Sequence, residues 1–195
     1  GIACLQGRID FQINHTITGR RKSDIPAMFC LAEELGARAL HFFFLVATGR
    51  GKEEEQLSGE EQEKILMEID LARDGSPLEV QVTCAPQYAR LSKQGKRRGG
   101  GCLAGRSFVF VSRKGDVYPC GYLPIKVGSI REKDFMEIWD SSPELLALRE
   151  RSLKGKCGQC RYMEICGGCR ARSYAQSGDY LGPDPSCLLE VESHG

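Results

Sequence analysis

The feature that most constrains this chain is the order of its cysteines. Of ten cysteines in 195 residues, eight follow one another as Cys84, Cys102, Cys120, Cys157-x2-Cys160-x5-Cys166-x2-Cys169 and Cys187. Cys-x2-Cys lets two thiolates leave one tight turn for the same metal centre, so the pattern ties distant backbone to common points. Disulfides fit poorly. Cysteine is about 5% of the chain, below the roughly 8–10% of a short disulfide scaffold. The sequence shows neither a signal-peptide pattern nor an apolar run long enough to span a bilayer, so a reducing, cytoplasmic setting without membrane association is expected. Zinc knuckles and iron–sulfur clusters both remain, because their ligand spacings overlap. Eight thiolates are the number that closes two four-iron clusters at four ligands each. The other two, Cys4 and Cys30, lie in segments that read as helix.

A family resemblance separates the two. Residues 102–187 resemble the SPASM extension of radical S-adenosylmethionine enzymes, whose pattern runs Cys, a spacer, Gly, four residues, Cys, then Cys-x2-Cys-x5-Cys-x3-Cys and a last Cys. Here Cys102 is followed after twelve residues by Gly115, then Asp-Val-Tyr-Pro and Cys120. Cys166-Gly167-Gly168-Cys169 has two spacers instead of three. That shorter form, with the text Cys-Gly-Gly-Cys-Arg-Ala-Arg over 166–172, resembles the branch that acts in haem biosynthesis. The resemblance implies two auxiliary 4Fe-4S clusters: Cys102, Cys120 and Cys169 on the first, and Cys157, Cys160, Cys166 and Cys187 on the second. The first then needs a fourth ligand. Cys84 is the candidate, in Leu78-Glu-Val-Gln-Val-Thr-Cys-Ala-Pro, where alternation followed by Pro86 reads as a strand entering a loop. In related enzymes the upstream ligand sits nearer the equivalent of Cys102. Gly167 and Gly168 would clear side chains where backbone passes a cluster, and their amides could donate to its sulfurs.

The N-terminal part reads as an alternation of strands and helices. Residues 11–18 are rich in β-formers. Ser23 or Asp24 can cap a helix with Pro26 in its first turn, Gly36 at its end and Met28, Leu31 and Leu35 on one face. Residues 38–46 form an apolar run of the kind expected for a parallel strand buried on both faces. Ser58-Gly-Glu-Glu61 is a capping box opening a helix with Ile65, Leu66 and Ile69 inward. The strand ending at Cys84 follows. This order is the signature of an α/β barrel or doubly wound sheet, and three strands cannot close a barrel. Residues 42–52 (Phe-Phe-Phe-Leu-Val-Ala-Thr-Gly-Arg-Gly-Lys) and Thr83-Cys-Ala-Pro86 are similar to radical enzymes that make haem by the sirohaem route or nitrite-reductase haem. The implied fold is α/β: residues 1–83 as the second half of a radical S-adenosylmethionine partial (β/α) barrel, and 84–195 as a small cysteine-rich SPASM domain.

The family generates its radical at a cluster held by Cys-x3-Cys-x2-Cys, and these residues contain no such triplet. The chain is therefore expected to be the C-terminal portion of a longer enzyme and inactive alone. The triplet is expected roughly 80–120 residues before Gly1, a span set by the missing strand–helix units.

By the same resemblance Asn14 and Thr16 lie on a strand that contacts S-adenosylmethionine, although polar residues at a barrel mouth are normal in any such fold. Arg50, in a Gly-Arg-Gly loop after a strand, is placed to pair with a carboxylate. His15 and His41 flank strands and read as structural. Lys93-Gln-Gly-Lys-Arg-Arg98 reads as a solvated linker, and a net charge of +1 argues against a nucleic-acid surface. Residues 108–120 read as a hairpin delivering Cys120; 134–139 and 143–153 read as helices. The implied activity is radical attack on an acetate or propionate side chain of a tetrapyrrole, with the auxiliary clusters moving electrons and ferredoxin or flavodoxin as donor. Peptide or protein maturation, maturation of a tungsten- or molybdenum-cofactor enzyme, and a zinc-binding module without catalysis are the alternatives. A half-barrel beside the cysteines argues against the last.

Overall fold

The computed structural model describes residues 9–20, 24–91 and 101–190. Its first part is a parallel sheet of β1 (Gln12–Ile17), β2 (Ala39–Phe44) and β3 (Glu79–Thr83), paired in that order. The crossovers are α1 (Ile25–Glu34) and α2 (Gly59–Arg73), with a 3-10 turn over Gly49–Glu53.

Each helix starts where local chemistry satisfies its free amides. Asp24 accepts the Ala27 N–H at 3.0 Å. At α2, Ser58 Oγ accepts the Glu61 N–H at 3.1 Å and Glu61 accepts the Ser58 N–H at 3.0 Å, the reciprocal capping box. Gly36, with φ +69°, turns the chain out of α1.

The strand register places Leu40, Phe42, Phe44, Ile17 and Val80 on one face, where they pack with Phe29 and Ala32 of α1 and Ile65, Leu66 and Ile69 of α2. Two expectations are corrected here. β2 is buried on one face only, because both crossover helices cover that side, while Ala39, His41 and Phe43 on the other are half-buried. The inward stripe of α1 is Ile25, Phe29 and Ala32, with Leu31 43% exposed. Spacing of four and three from Ile25 meets the sheet, and Leu31 lies about 100° further round.

The face of β1 and β2 away from the helices carries Gln12, Asn14, Thr16 and His41, and His41 is hydrogen-bonded to Thr83 Oγ1 at 2.6 Å. His15 packs edge-on against Phe42 at 6.0 Å, a structural place.

Beyond β3 come α3 (Tyr88–Leu91) and an antiparallel sheet of β4 (Phe110–Val111), β5 (Asp116–Tyr118) and β6 (Gly128–Ser129). The hairpin that delivers Cys120 exists, but its strands are only two and three residues long. Asp134 caps α4 (Phe135–Ser141), and Ser142 caps α5 (Pro143–Arg149). The latter stops four residues before Leu153, near Arg151, which takes a left-handed φ of 56°. Two short helices inside the cysteine-rich stretch, α6 (Gly155–Gly158) and α7 (Arg170–Ser177), went unforeseen. Cys4, Ser23 and Lys93–Arg98 lie outside the described residues. Among the described residues no helix is long and apolar enough to cross a membrane.

Candidate metal centre

The eight thiols fall into two gatherings. Cys84, at φ 64° directly after β3, stands close enough to Cys120 and Cys102 for their charges to interact, and Cys169 feels both Cys102 and Cys84. Cys84, Cys120 and Cys169 also share one apolar cluster with Val46, Leu123 and Ala171. The other four, Cys157, Cys160, Cys166 and Cys187, line a single cavity with Gly167, Gly168 and Arg90.

Backbone delivers these side chains and its amides point at the sulfurs. The Tyr122 N–H donates to Cys120 Sγ at 3.4 Å, the Tyr162 N–H to Cys160 Sγ at 3.4 Å and the Gly168 N–H to Cys166 Sγ at 3.5 Å. The Cys102 N–H donates to the Cys166 carbonyl at 3.0 Å, which fastens one gathering to the other. Gly167 and Gly168 both have left-handed φ, 65° and 60°. A Cβ on Gly168 would sit 2.8 Å from Asp184 Cβ and 3.1 Å from Cys157 Sγ, and one on Gly167 would overlap the Arg151 guanidinium. The glycines thus clear room for protein neighbours and a ligand sulfur.

Burial pushes the thiols of Cys84 and Cys166 up to about 12, and raises Cys120 and Cys169 as well. Such thiols hold their protons until a cationic centre accepts the thiolate. An all-sulfur donor set suits zinc or iron–sulfur chemistry. Among the described residues no group of three or more His, Cys, Asp or Glu side chains is placed to hold a single metal ion. Arg90 adds an observation of its own. Its guanidinium is ion-paired with Glu63, it lines the cavity of Cys157, Cys160, Cys166 and Cys187, and its buried Nε has no partner among the described residues. A sulfide or thiolate acceptor there would satisfy it. The residues fit an iron–sulfur cluster.

Asn14 and Thr16 are exposed on the face of β1 that carries no helix, with Asn14 Oδ1 accepting from Gln12 Nε2 at 2.6 Å. Arg50 is exposed in the 3-10 turn rather than a loop. None of the three lines the cavity of Cys157, Cys160, Cys166 and Cys187 or belongs to the apolar cluster of Cys84, Cys120 and Cys169. Sequence reasoning missed a buried polar group beside them: Gln87, Asp184 and Ser186, with Arg172. Arg172 sat in the quoted Cys-Gly-Gly-Cys-Arg-Ala-Arg text as a flank, and Asp184 lies in Pro-Asp-Pro three residues before Cys187; neither spacing signals burial.

Comparison with known proteins shows what the chain is similar to. The SPASM family, described as an iron-sulfur cluster-binding domain, matches residues 102–170. An AdoMet-dependent heme synthase of Methanosarcina barkeri is 44% identical over 194 residues, covering 91% of this chain and 56% of that protein. A second, from Nitratidesulfovibrio vulgaris, is 38% identical over 92% of this chain and 54% of its own length. The pre-heme d1 synthase of Dinoroseobacter shibae is 29% identical over 99% and 55%. The chain thus spans about half the length of these curated relatives. Among solved structures, Streptococcus suis SuiB bound to S-adenosylmethionine shares the fold at a TM-score of 0.64 and 19% identity, over 93% of this chain and 45% of that one.

Proposed function

Because this chain belongs to the radical S-adenosylmethionine enzymes that carry a SPASM domain, we propose that it is the cluster-bearing part of an enzyme that remodels tetrapyrrole side chains in haem biosynthesis. The observation that carries this reading is the division of eight thiols into two fours beside a parallel α/β sheet. Cys84, Cys102, Cys120 and Cys169 hold one auxiliary 4Fe-4S cluster, and Cys157, Cys160, Cys166 and Cys187 the other. Cys84 closes the first, so that both are saturated with protein ligands. Such clusters supply one-electron transfer and no substrate site.

The chain's own residues do the rest. Residues 1–83 form half of the partial barrel, with Asn14 and Thr16 facing its mouth to meet S-adenosylmethionine and Arg50 pairing with a substrate carboxylate. Residues 84–195 form the SPASM domain, whose buried sulfur surroundings and N–H···S bonds hold the clusters out of water. The clusters these residues would hold would supply one-electron transfer as an acetate or propionate side chain is lost, with a ferredoxin or flavodoxin of the cytoplasm as electron donor.

The test is anaerobic incubation of the full-length enzyme with S-adenosylmethionine, a reductant and an iron tetrapyrrole. The expected products are 5′-deoxyadenosine and a tetrapyrrole of lower mass. Turnover of a peptide in place of the tetrapyrrole would support maturation instead, the activity named for the PqqA peptide cyclase of Xanthomonas euvesicatoria, 28% identical over 90% of this chain.

A further inference from the structure

The cysteines account for the ligands but leave a buried ion pair between them. Asp184 is fully buried and Arg172 is 8% exposed. Arg172 Nη1 meets Asp184 Oδ2 at 3.3 Å. Asp184 touches both gatherings at once. Its Oδ2 accepts the Cys169 backbone N–H at 2.6 Å, and its own backbone N–H donates to Cys157 Sγ at 3.4 Å. Arg172 leans to one side, donating from Nη2 to the Cys84 carbonyl at 2.7 Å.

The carboxylate is fully satisfied. It also accepts from Gln87 Nε2 at 2.9 Å, and from the Ser186 N–H and hydroxyl at 3.1 and 2.9 Å. Gln62 of α2 closes the network onto Gln87 and Ser186, each at 3.1 Å. Taking a carboxylate and a guanidinium out of water is costly for each, so such a pair is a weak means of stabilising a fold. A complete network does rigidify what it joins, and what this one joins is Cys169 to Cys157 and, through Gln62, the sheet part to the cluster part.

We propose that Asp184 and Arg172 are positioning residues that fix the two cluster sites against each other and tune their reduction potentials. The inference rests on the ligand reading above. The Asp184 carboxylate lies against both sites and disfavours an added electron at each. The Arg172 guanidinium lies on the side of Cys84 and Cys169 and favours one there. Arg170, whose Nη2 is 3.6 Å from Cys157 Sγ, is the corresponding cation of the second site, and its other partners, the carbonyls of Gly168, Tyr180 and Gly182, are not those of Arg172. Fixed charges near a cluster move its potential in a direction given by their sign, which loss of packing does not imitate.

The experiment is a reductive titration, followed by electron paramagnetic resonance, of anaerobically reconstituted protein and of Asp184→Asn, Arg172→Gln and Arg172→Lys. Asp184→Asn is expected to raise both potentials. Arg172→Gln is expected to lower one potential and shift the other less, and Arg172→Lys to return the lowered one toward wild type. Wild-type potentials in Asp184→Asn and Arg172→Gln, with both clusters retained, would overturn the proposal. If Asp184→Asn loses its iron, the two Arg172 variants decide: equal shifts in Gln and Lys overturn it, and rescue by Lys upholds it. Wild-type protein holding fewer than two clusters would instead defeat the ligand reading beneath it.

Discussion

Gly168→Ala is the change whose cost the geometry fixes best. The residue has φ +60°, where an L side chain is strained by about 1–2 kcal/mol. Its new Cβ would press on Asp184 Cβ at 2.8 Å and on Cys157 Sγ at 3.1 Å, besides the Arg170 guanidinium. Asp184 is held by the network around it and Cys157 is 7% exposed, so neither can yield freely. Overpacking of this kind adds about 1–3 kcal/mol. The total, about 2–5 kcal/mol, is a large share of the roughly 5–15 kcal/mol that holds a domain folded. Gly178→Ala supplies the control: φ +74° in the same lobe with nothing within 4 Å of the new Cβ, hence the conformational cost alone. Urea unfolding of both variants at matched iron content measures the difference. Equal destabilisation would refute the claim that close packing adds to backbone conformation in demanding glycine at 168.

Other perturbations test the frame. Phe42→Ala, at a fully buried site between the sheet and α1, is expected to cost about 3–5 kcal/mol in urea unfolding. Ser58→Ala removes one arm of the capping box and should cost about 1 kcal/mol in the same assay, with Ser58→Asp nearly silent. Burial holds His41 below its ordinary pKa of 6.5, so the fold favours the neutral ring; its contribution is complete above pH 6.5 and fades as pH falls from there toward the depressed value. His41→Gln should flatten the stability profile over that interval. Cys160→Ala should lose one cluster and, with it, protease resistance around residues 155–187, because ligand bonds supply much of the order of a segment with few aliphatic side chains.

What the sequence made legible was what rests on local rules. The capping box at Ser58, the Asp24 cap with Pro26 behind it, and the three parallel strands follow from propensity and periodicity, and the structure has each. The two gatherings of cysteines follow from spacing joined to a family pattern. The stripe of α1 was misread because Leu31 and Leu35 are as apolar as Phe29 and Ala32, and only the docking direction of the helix chooses between them. The Asp184–Arg172 pair was invisible for a different reason. Charged side chains read as surface by default, and their burial depends on partners such as Gln87 and Ser186 that are remote in sequence or not ligands themselves.

The central claim is that eight thiols make two separate four-iron sites with Cys84 closing the first. Iron and sulfide analysis combined with electron paramagnetic resonance of reconstituted protein, Cys84→Ser and Cys187→Ser tests it most directly. The account predicts about eight irons bound by these cysteines, two cluster signals, and each variant disturbing a different one while sparing the other. Zinc in place of iron after anaerobic reconstitution, or both variants disturbing the same signal, would contradict it.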